Sequence, residues 1–106
     1  INDWPDEALK KFILNKNDCL VTLTHDPKID DSALLIALDS PIFSISCLGS
    51  RRTHSARKSR LQNKGIHERQ FFRINGPAGL DINAKNPAEI AVSILAELIK
   101  DWRRET

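Results

Sequence analysis

The stretch that decides the fold lies at residues 42–54 and reads IFSISCLGSRRTH. Apolar residues alternate with Ser44 and Ser46, which is the period-two pattern of a β-strand with one apolar face. Gly49 ends this predicted strand at its carboxyl end, and a basic helix is predicted from about residue 51 to residue 64. A strand that passes directly into a helix start is the repeating unit of a parallel sheet with helices on its faces.

A second strand is predicted upstream, at residues 19–24, which read CLVTLT. It is apolar on both faces, as a central strand of a parallel sheet would be. Pro27 ends the strand region because proline cannot donate to a strand ladder. We expect Asp30 or Asp31 to cap the next helix, which runs to about Leu38.

Helices are also predicted at both ends of the chain. Residues 4–15 form a short amphipathic segment, whereas residues 87–102 show helical spacing after an Asn-Pro-Ala-Glu start. Residues 66–72 can include a further helical turn, and residues 75–79 are predicted as loop. Two strands make a poor sheet, and the 106 residues begin at Ile1 and hold no methionine. We therefore expect one α/β domain whose remaining strands come from upstream or from another copy.

Composition favours a cytoplasmic protein with a local basic surface. No apolar run approaches the roughly 20 residues of a membrane span, and the two cysteines are expected to be reduced thiols within strands. The net charge is only +2, but no acidic residue lies between Asp39 and Glu68. This points to an anionic ligand. Nucleic acid is not the expected partner, because the basic positions spread around the helix without interleaved aromatic residues.

The turn after the second strand is the strongest candidate site. Gly49 permits close approach of the backbone, Ser50 can cap the helix or donate a hydroxyl, and Arg51 and Arg52 suit bidentate binding of phosphate oxygens. With Thr53 they surround a helix start, whose free N–H groups and positive dipole end favour an anion. The alternative is a capped helix with solvated arginines.

The end of the upstream strand lies on the same edge of the predicted sheet. Thr24, His25 and Asp26 follow that strand, so that His25 could transfer a proton or contact a ligand while Asp26 orients it or binds a hydroxyl. Alternatively, Asp26 caps a turn before Pro27 and His25 packs beside it.

Three further positions are open to two interpretations. Gly79 and Asp81 lie in a loop ahead of the last helix, where Asp81 could contact a ligand or satisfy loop amides. Cys47 could be a thiolate ligand of a soft metal, although a single cysteine in a strand is more often a small buried hydrophobe. No spacing typical of a zinc site occurs.

Four segments, taken together in order and spacing, resemble one family. They are residues 23–31 (LTHDPKIDD), 48–54 (LGSRRTH), 76–82 (GPAGLDI) and 86–94 (NPAEIAVSI). They are similar to the C-terminal Rossmann-like domain of the XdhC/CoxI family, the xanthine dehydrogenase accessory proteins, over nearly the whole chain. Asn75 and Asn83 stand where that family usually has His and Gly.

The resemblance implies a Rossmann-like parallel sheet with flanking helices, in a single domain over residues 1–106 whose N-terminal part is absent. It implies a chaperone rather than an enzyme, one that binds molybdenum cofactor and delivers it to a xanthine dehydrogenase-like molybdenum hydroxylase. A cysteine desulfurase and a second copy of the chain are further implied partners. The cofactor is anionic, and the residues implied to line its crevice are Thr24, His25, Asp26, Gly49, Ser50, Arg51, Arg52, Thr53, Gly79 and Asp81.

Two other functions remain open from the sequence. The first is a nucleotide-binding oxidoreductase or a nucleotidyl transferase on the same fold, with a nucleotide as the ligand. The second is a structural or dimerisation module without a ligand, which an exposed apolar strand edge or a swapped helix would support.

Overall fold

The computed structural model describes residues 5–10, 13–24 and 26–104. The helix predicted at residues 4–15 is described only in part, and His25 lies outside the described residues. In chain order the elements are α1 Pro5–Lys10, β1 Cys19–Thr22, α2 Pro27–Leu38, β2 Ser44–Cys47, α3 Arg51–Asn63, α4 Glu68–Phe71, β3 Ile74–Asn75 and α5 Pro87–Arg104.

The strands form a parallel sheet in the order β1-β2-β3. Leu20 pairs with Ile45, which in turn pairs with Ile74. The predicted α/β fold with a parallel sheet is confirmed, but two details differ. β1 lies at an edge of this sheet instead of its centre, and a third strand forms at residues 74–75, in a stretch predicted to lead into a loop.

The start of α2 corrects the prediction for Asp30 and Asp31. Asp26 is the N-cap, where its Oδ1 accepts a hydrogen bond from the Lys28 amide at 3.0 Å, and Pro27 opens the helix. Proline at the first helical position and a carboxylate at the cap form an earlier start signal than either predicted aspartate. Asp30 and Asp31 instead lie inside the helix and are buried.

The hydrophobic core lies on one side of β2. Alternation along this strand sends Ile45 and Cys47 into the core, whereas Ser44 bonds to α5. The buried apolar side chains of this core come from α2, β2, α3, α4 and their connections: Leu34, Ala37, Leu38, Ile42, Ile45, Cys47, Leu61, Phe71 and Ile74.

The last helix begins as predicted. The side chain of Asn86 accepts a hydrogen bond from the Glu89 amide at 2.9 Å, and the Glu89 carboxylate accepts one from the Lys85 amide. α5 then continues for 18 residues to Arg104. Even so, none of the helices in the described residues has the length and apolar character needed to cross a membrane.

Candidate anion-binding site

The turn from β2 into α3 requires a glycine at its first position. Gly49 has φ of +139°, and a Cβ there would stand 3.3 Å from Cγ2 of Thr53. Ser50 is the N-cap of α3, since its Oγ accepts a hydrogen bond from the Thr53 amide at 3.1 Å. The hydroxyls of Ser50 and Thr53 also lie 3.0 Å apart. Both side chains therefore hold the turn in shape.

The same turn leaves donors available at the start of α3. The His54 amide bonds to the Ser50 carbonyl and the Thr53 amide to the Ser50 side chain. Among the described residues, the amides of Arg51 and Arg52 have no hydrogen-bond partner, as helix geometry requires of a first turn. Both arginine side chains are exposed, so two guanidinium groups and two amides surround the positive end of the helix dipole.

Two cavities adjoin this first turn. The α2-side cavity, of about 270 Å³, is lined by Pro27, Asp30, Arg52, Thr53, Ala56, Arg57 and Arg60. The α5-side cavity, of about 330 Å³, brings Arg51 together with residues 77–84 and with Ile90 and Ser93. The predicted crevice is thus divided, with Arg52 and Thr53 on one side and Arg51, Gly79 and Asp81 on the other.

The α2-side cavity has a buried arginine in its wall. Arg57 is only 3% exposed, and its Nε has no hydrogen-bond partner within the described part of the chain. Burial raises the pKa of Asp30 in the same wall, and the positive charge of Arg57 opposes that rise. Arg60 binds Asp31 through two hydrogen bonds of 2.8 and 3.2 Å, which ties α3 to α2.

His54 supports this wall as a neutral group. Burial, followed by the charges of Arg57 and Lys58, lowers the pKa of His54 to about 4. Its Nδ1 lies 3.0 Å from Nη1 of Arg57, and because a guanidinium can only donate, Nδ1 accepts and the ring proton sits on Nε2. The ring packs against Phe71 with the centroids 4.7 Å apart.

Arg57, Arg60 and His54 were not among the predicted site residues. The signal was present, since Thr53, Ala56, Arg57 and Arg60 recur at the spacing of one helix face. The basic residues of α3 were interpreted only by their spread around the helix. The one face that packs against α2 was therefore not recognised.

Thr24 and Asp26, which follow β1, are engaged in local structure. Thr24 accepts a hydrogen bond from the Asp26 amide at 2.9 Å, and Asp26 caps α2. The alternative interpretation of Asp26, a cap at Pro27, is therefore its structural role. The two residues still lie at the carboxyl edge of the sheet, next to the start of α3, because β1 and β2 are parallel neighbours.

The loop around Gly79 is fastened to α5. Gly79 has φ of +99°, and a Cβ there would overlap the Ser93 hydroxyl. The Gly79 amide donates to Glu97 at 2.7 Å. Asp81 is exposed and accepts a weak bond from the amide of Asn83, which has φ of 59° as an asparagine in a left-handed position can. These contacts and backbone angles explain why Gly79 and Asn83 occupy their positions, and the explanation requires no ligand.

Cys47 is buried in the core at the end of β2. Burial raises the pKa of its thiol, which disfavours the thiolate that a metal ion requires. The described residues contain no group of three or more His, Cys, Asp or Glu side chains arranged to hold a metal ion.

Comparison with known proteins assigns the chain to a family. The family model for the XdhC Rossmann domain matches residues 2–98. A probable xanthine dehydrogenase subunit from Bacillus subtilis is 31% identical over 98% of this chain and 29% of its own length. A molybdenum cofactor insertion chaperone of Escherichia coli, PaoD, is 28% identical over 80% of this chain and 27% of its own length.

A solved structure shares the fold along the whole chain. The crystal structure of a xanthine dehydrogenase from Bacillus halodurans matches with a TM-score of 0.77 and 34% identity, covering 100% of this chain and 30% of that one. The chain spans less than a third of the length of these relatives.

Proposed function

Because the chain belongs to the family of XdhC Rossmann domains, we propose that it binds molybdenum cofactor for insertion into a xanthine dehydrogenase-like molybdenum hydroxylase. The observation that carries the proposal is the first turn of α3. There Arg51, Arg52 and two free amides follow the central strand of a parallel sheet, at the edge where such sheets bind ligands. The cofactor carries a phosphate, which these donors suit.

The balance of charge favours the α2-side cavity for the phosphate. Arg52, Arg57 and Arg60 line it against Asp30, and Asp31 is already neutralised by Arg60. In the α5-side cavity Arg51 faces a single carboxylate, that of Asp81. We therefore place the phosphate between the first amides of α3 and the Arg52 guanidinium, with the pterin extending along the sheet edge.

Arg57 lies in the buried wall of the α2-side cavity and attracts the phosphate through its positive charge. It is buried, and His54 fixes it by accepting a hydrogen bond from Nη1. A fixed and buried guanidinium acts on a phosphate more strongly than an exposed one, because the local dielectric is lower. The neutral state of His54 matters for this arrangement, since an imidazolium would repel Arg57.

The partners follow from the same proposal. The client is a molybdenum hydroxylase that receives the cofactor, and a cysteine desulfurase supplies sulfur to the cofactor while this chain holds it. The chain itself carries out no turnover.

Binding of purified molybdenum cofactor to the chain tests the site. We expect Arg52→Ala to weaken binding by about tenfold or more, which is the effect of removing one charged hydrogen-bond donor to phosphate. Arg51→Ala should weaken it less, because Arg51 faces the other cavity. The matched control is Arg69→Ala, an exposed arginine on α4.

Three outcomes would contradict parts of the proposal. Equal affinity of the wild type and the Arg51→Ala/Arg52→Ala double variant would exclude the first turn of α3 as the binding site. Tight binding of NAD(H) without affinity for the pterin would favour a nucleotide-binding oxidoreductase instead. Loaded chain that fails to activate cofactor-free hydroxylase would remove the insertion step from the proposal.

A further inference from the structure

A buried carboxylate lies among the cations of the α2-side cavity. Asp30 lines this cavity together with Arg52 and Arg57, and it is only 4% exposed. Its negative charge repels an approaching phosphate, so a wall that only attracts anions would not contain it. The position of Asp30 therefore indicates that the cavity discriminates between anions.

The charges of the wall leave a net charge close to +1. Arg60 binds Asp31 with 2.8 Å between Nε and Oδ2, so the charges of these two side chains cancel. Arg52 and Arg57 are positive, and Asp30 offsets one of them. The start of α3 adds about half a positive charge through the helix dipole. A phosphate with one negative charge is thus compensated, whereas a second negative charge on the ligand is not.

The same wall holds a donor that lacks an acceptor. Arg57 is 3% exposed, and its Nε has no hydrogen-bond partner in the part of the chain that the structure describes. A buried donor without a partner costs free energy, and an oxygen atom of a bound phosphate would supply the acceptor. This donor is evidence for a ligand in the cavity that is independent of the helix start.

The groups packed around Asp30 determine how its charge is held. Burial raises the pKa of Asp30, whereas the charge of Arg57 and a hydrogen bond with the Thr24 side chain lower it. Asp26 is exposed at the cap of α2, so water and salt screen its charge. Cys47, at the end of β2, adds no charge because burial raises the pKa of its thiol.

We propose that Asp30 restricts the α2-side cavity to a phosphate group that carries a single negative charge. This inference rests on the phosphate position given under the proposed function. Two kinds of ligand meet the condition: phosphodiesters, and phosphate monoesters that keep one proton. The remaining proton of a monoester can also be donated to the carboxylate of Asp30. Fully ionised monoesters are disfavoured because both of their charges are repelled by Asp30.

NMR titration of the isotope-labelled chain with methyl phosphate and with dimethyl phosphate tests the preference. The Nε–H resonance of Arg57 reports binding, and His54 stays neutral between pH 5.5 and pH 7.5 because its pKa is about 4. Over this range the affinity for methyl phosphate should fall about tenfold or more, since its singly charged form disappears above a second pKa of about 6. The affinity for dimethyl phosphate should change less than about twofold, because its charge is constant.

Asp30→Asn should reverse the trend for methyl phosphate. Without the carboxylate, the doubly charged ester should bind more tightly, so its affinity should rise from pH 5.5 to pH 7.5. The matched control is Asp39→Asn, at the exposed C-terminal end of the same helix, which should keep the original trend. All of these chains carry His25→Gln, because an ordinary histidine titrates in this range.

The outcomes separate this inference from the proposed function. Tighter binding of methyl phosphate at pH 7.5 by the chain that keeps Asp30, or an unchanged trend in a folded Asp30→Asn variant, would overturn the inference. If that variant fails to fold by circular dichroism, the comparison of the two esters on the parent chain still decides. Absence of binding by both esters would refute the phosphate position and the inference together. If both esters bind as expected but purified cofactor does not, the proposed function fails and the charge preference stands.

Discussion

The two sides of the central strand hold the molecule together by different means. Ile45 and Cys47 enter an apolar core with α2, α3 and α4, whereas Ser44 and Ser46 lie in a polar network with Asn75 and α5. The hydrophobic contacts on the apolar side have no preferred direction, and they provide most of the free energy of folding. The polar side provides less free energy but sets the rotation of α5, because hydrogen bonds require particular partners. Stability and orientation are thus assigned to opposite sides of one strand.

Truncation of a side chain in the apolar core should lower the free energy of unfolding more than any other change described here. Leu61 of α3 is fully buried, and Leu61→Ala is expected to lower the free energy of unfolding by about 3 kcal/mol through lost transfer energy and a cavity. Urea unfolding followed by circular dichroism measures this change. Ile13→Ala is the control, since Ile13 is 94% exposed and its truncation should change little. Equal losses in the two variants would contradict the placement of the core.

A substitution in the polar network should lower the free energy of unfolding by less than a core truncation does. Its main effect should be on the stability of α5. Asp101→Ala leaves the Ser44 hydroxyl and the side-chain amide (Nδ2) of Asn75 without their shared acceptor, which is expected to cost about 2 kcal/mol. Asp101→Asn keeps an acceptor oxygen and should lose less. Hydrogen exchange is the sharper measurement, because the α5 amides should exchange faster while those of α2 stay protected. Uniform acceleration in both helices would show that the network stabilises the whole fold.

His54, which packs against Phe71 of the core, should make the free energy of unfolding depend on pH. The pKa of His54 is about 4 in the fold, below the ordinary value of 6.5, so the folded state favours the neutral ring. Its contribution to stability is complete above pH 6.5 and is lost as the pH falls toward 4. We expect a loss of about 1 kcal/mol between pH 7 and pH 5, since the ring is only partly buried. His54→Gln should reduce this slope, and an identical slope would assign it to other groups.

The smallest effect is expected from Ser46→Ala. The Ser46 hydroxyl accepts only a 3.3 Å bond from Asn75, which keeps its 2.8 Å bond to Asp101. The free energy of unfolding should fall by less than about 1 kcal/mol. A loss as large as that of Asp101→Ala, measured by the same urea unfolding, would mean that the serine and the aspartate act as one cooperative unit.

Much of the fold could be predicted from local patterns. The alternation at residues 42–48 predicted β2, and the Asn86-Pro87 start predicted α5, because each pattern acts within a few residues of its own position. β3 could not be predicted, since two residues are too short to show any period. The helix start at Asp26 was missed because its cap signal was assigned to the end of the preceding strand.

The candidate site likewise has features that follow from the sequence and features that depend on tertiary packing. The Gly49 turn and the arginines after it follow from sequence, and Gly49 indeed has a positive φ. The division of the predicted crevice into two cavities does not follow, because it depends on how α3 lies between α2 and the loop before α5. The roles of Arg57 and His54 depend on the same packing.

The sequence by itself determined the alternation of helices with the two longer strands, the parallel sheet and the basic turn that follows β2. Periodicity, caps and glycines act locally, and that is why these features can be predicted from residue types alone. Only the tertiary structure decided which side of α5 meets the sheet. That choice rests on Asp101 and Ser44, which lie 57 positions apart in the chain and meet through a single buried hydrogen bond.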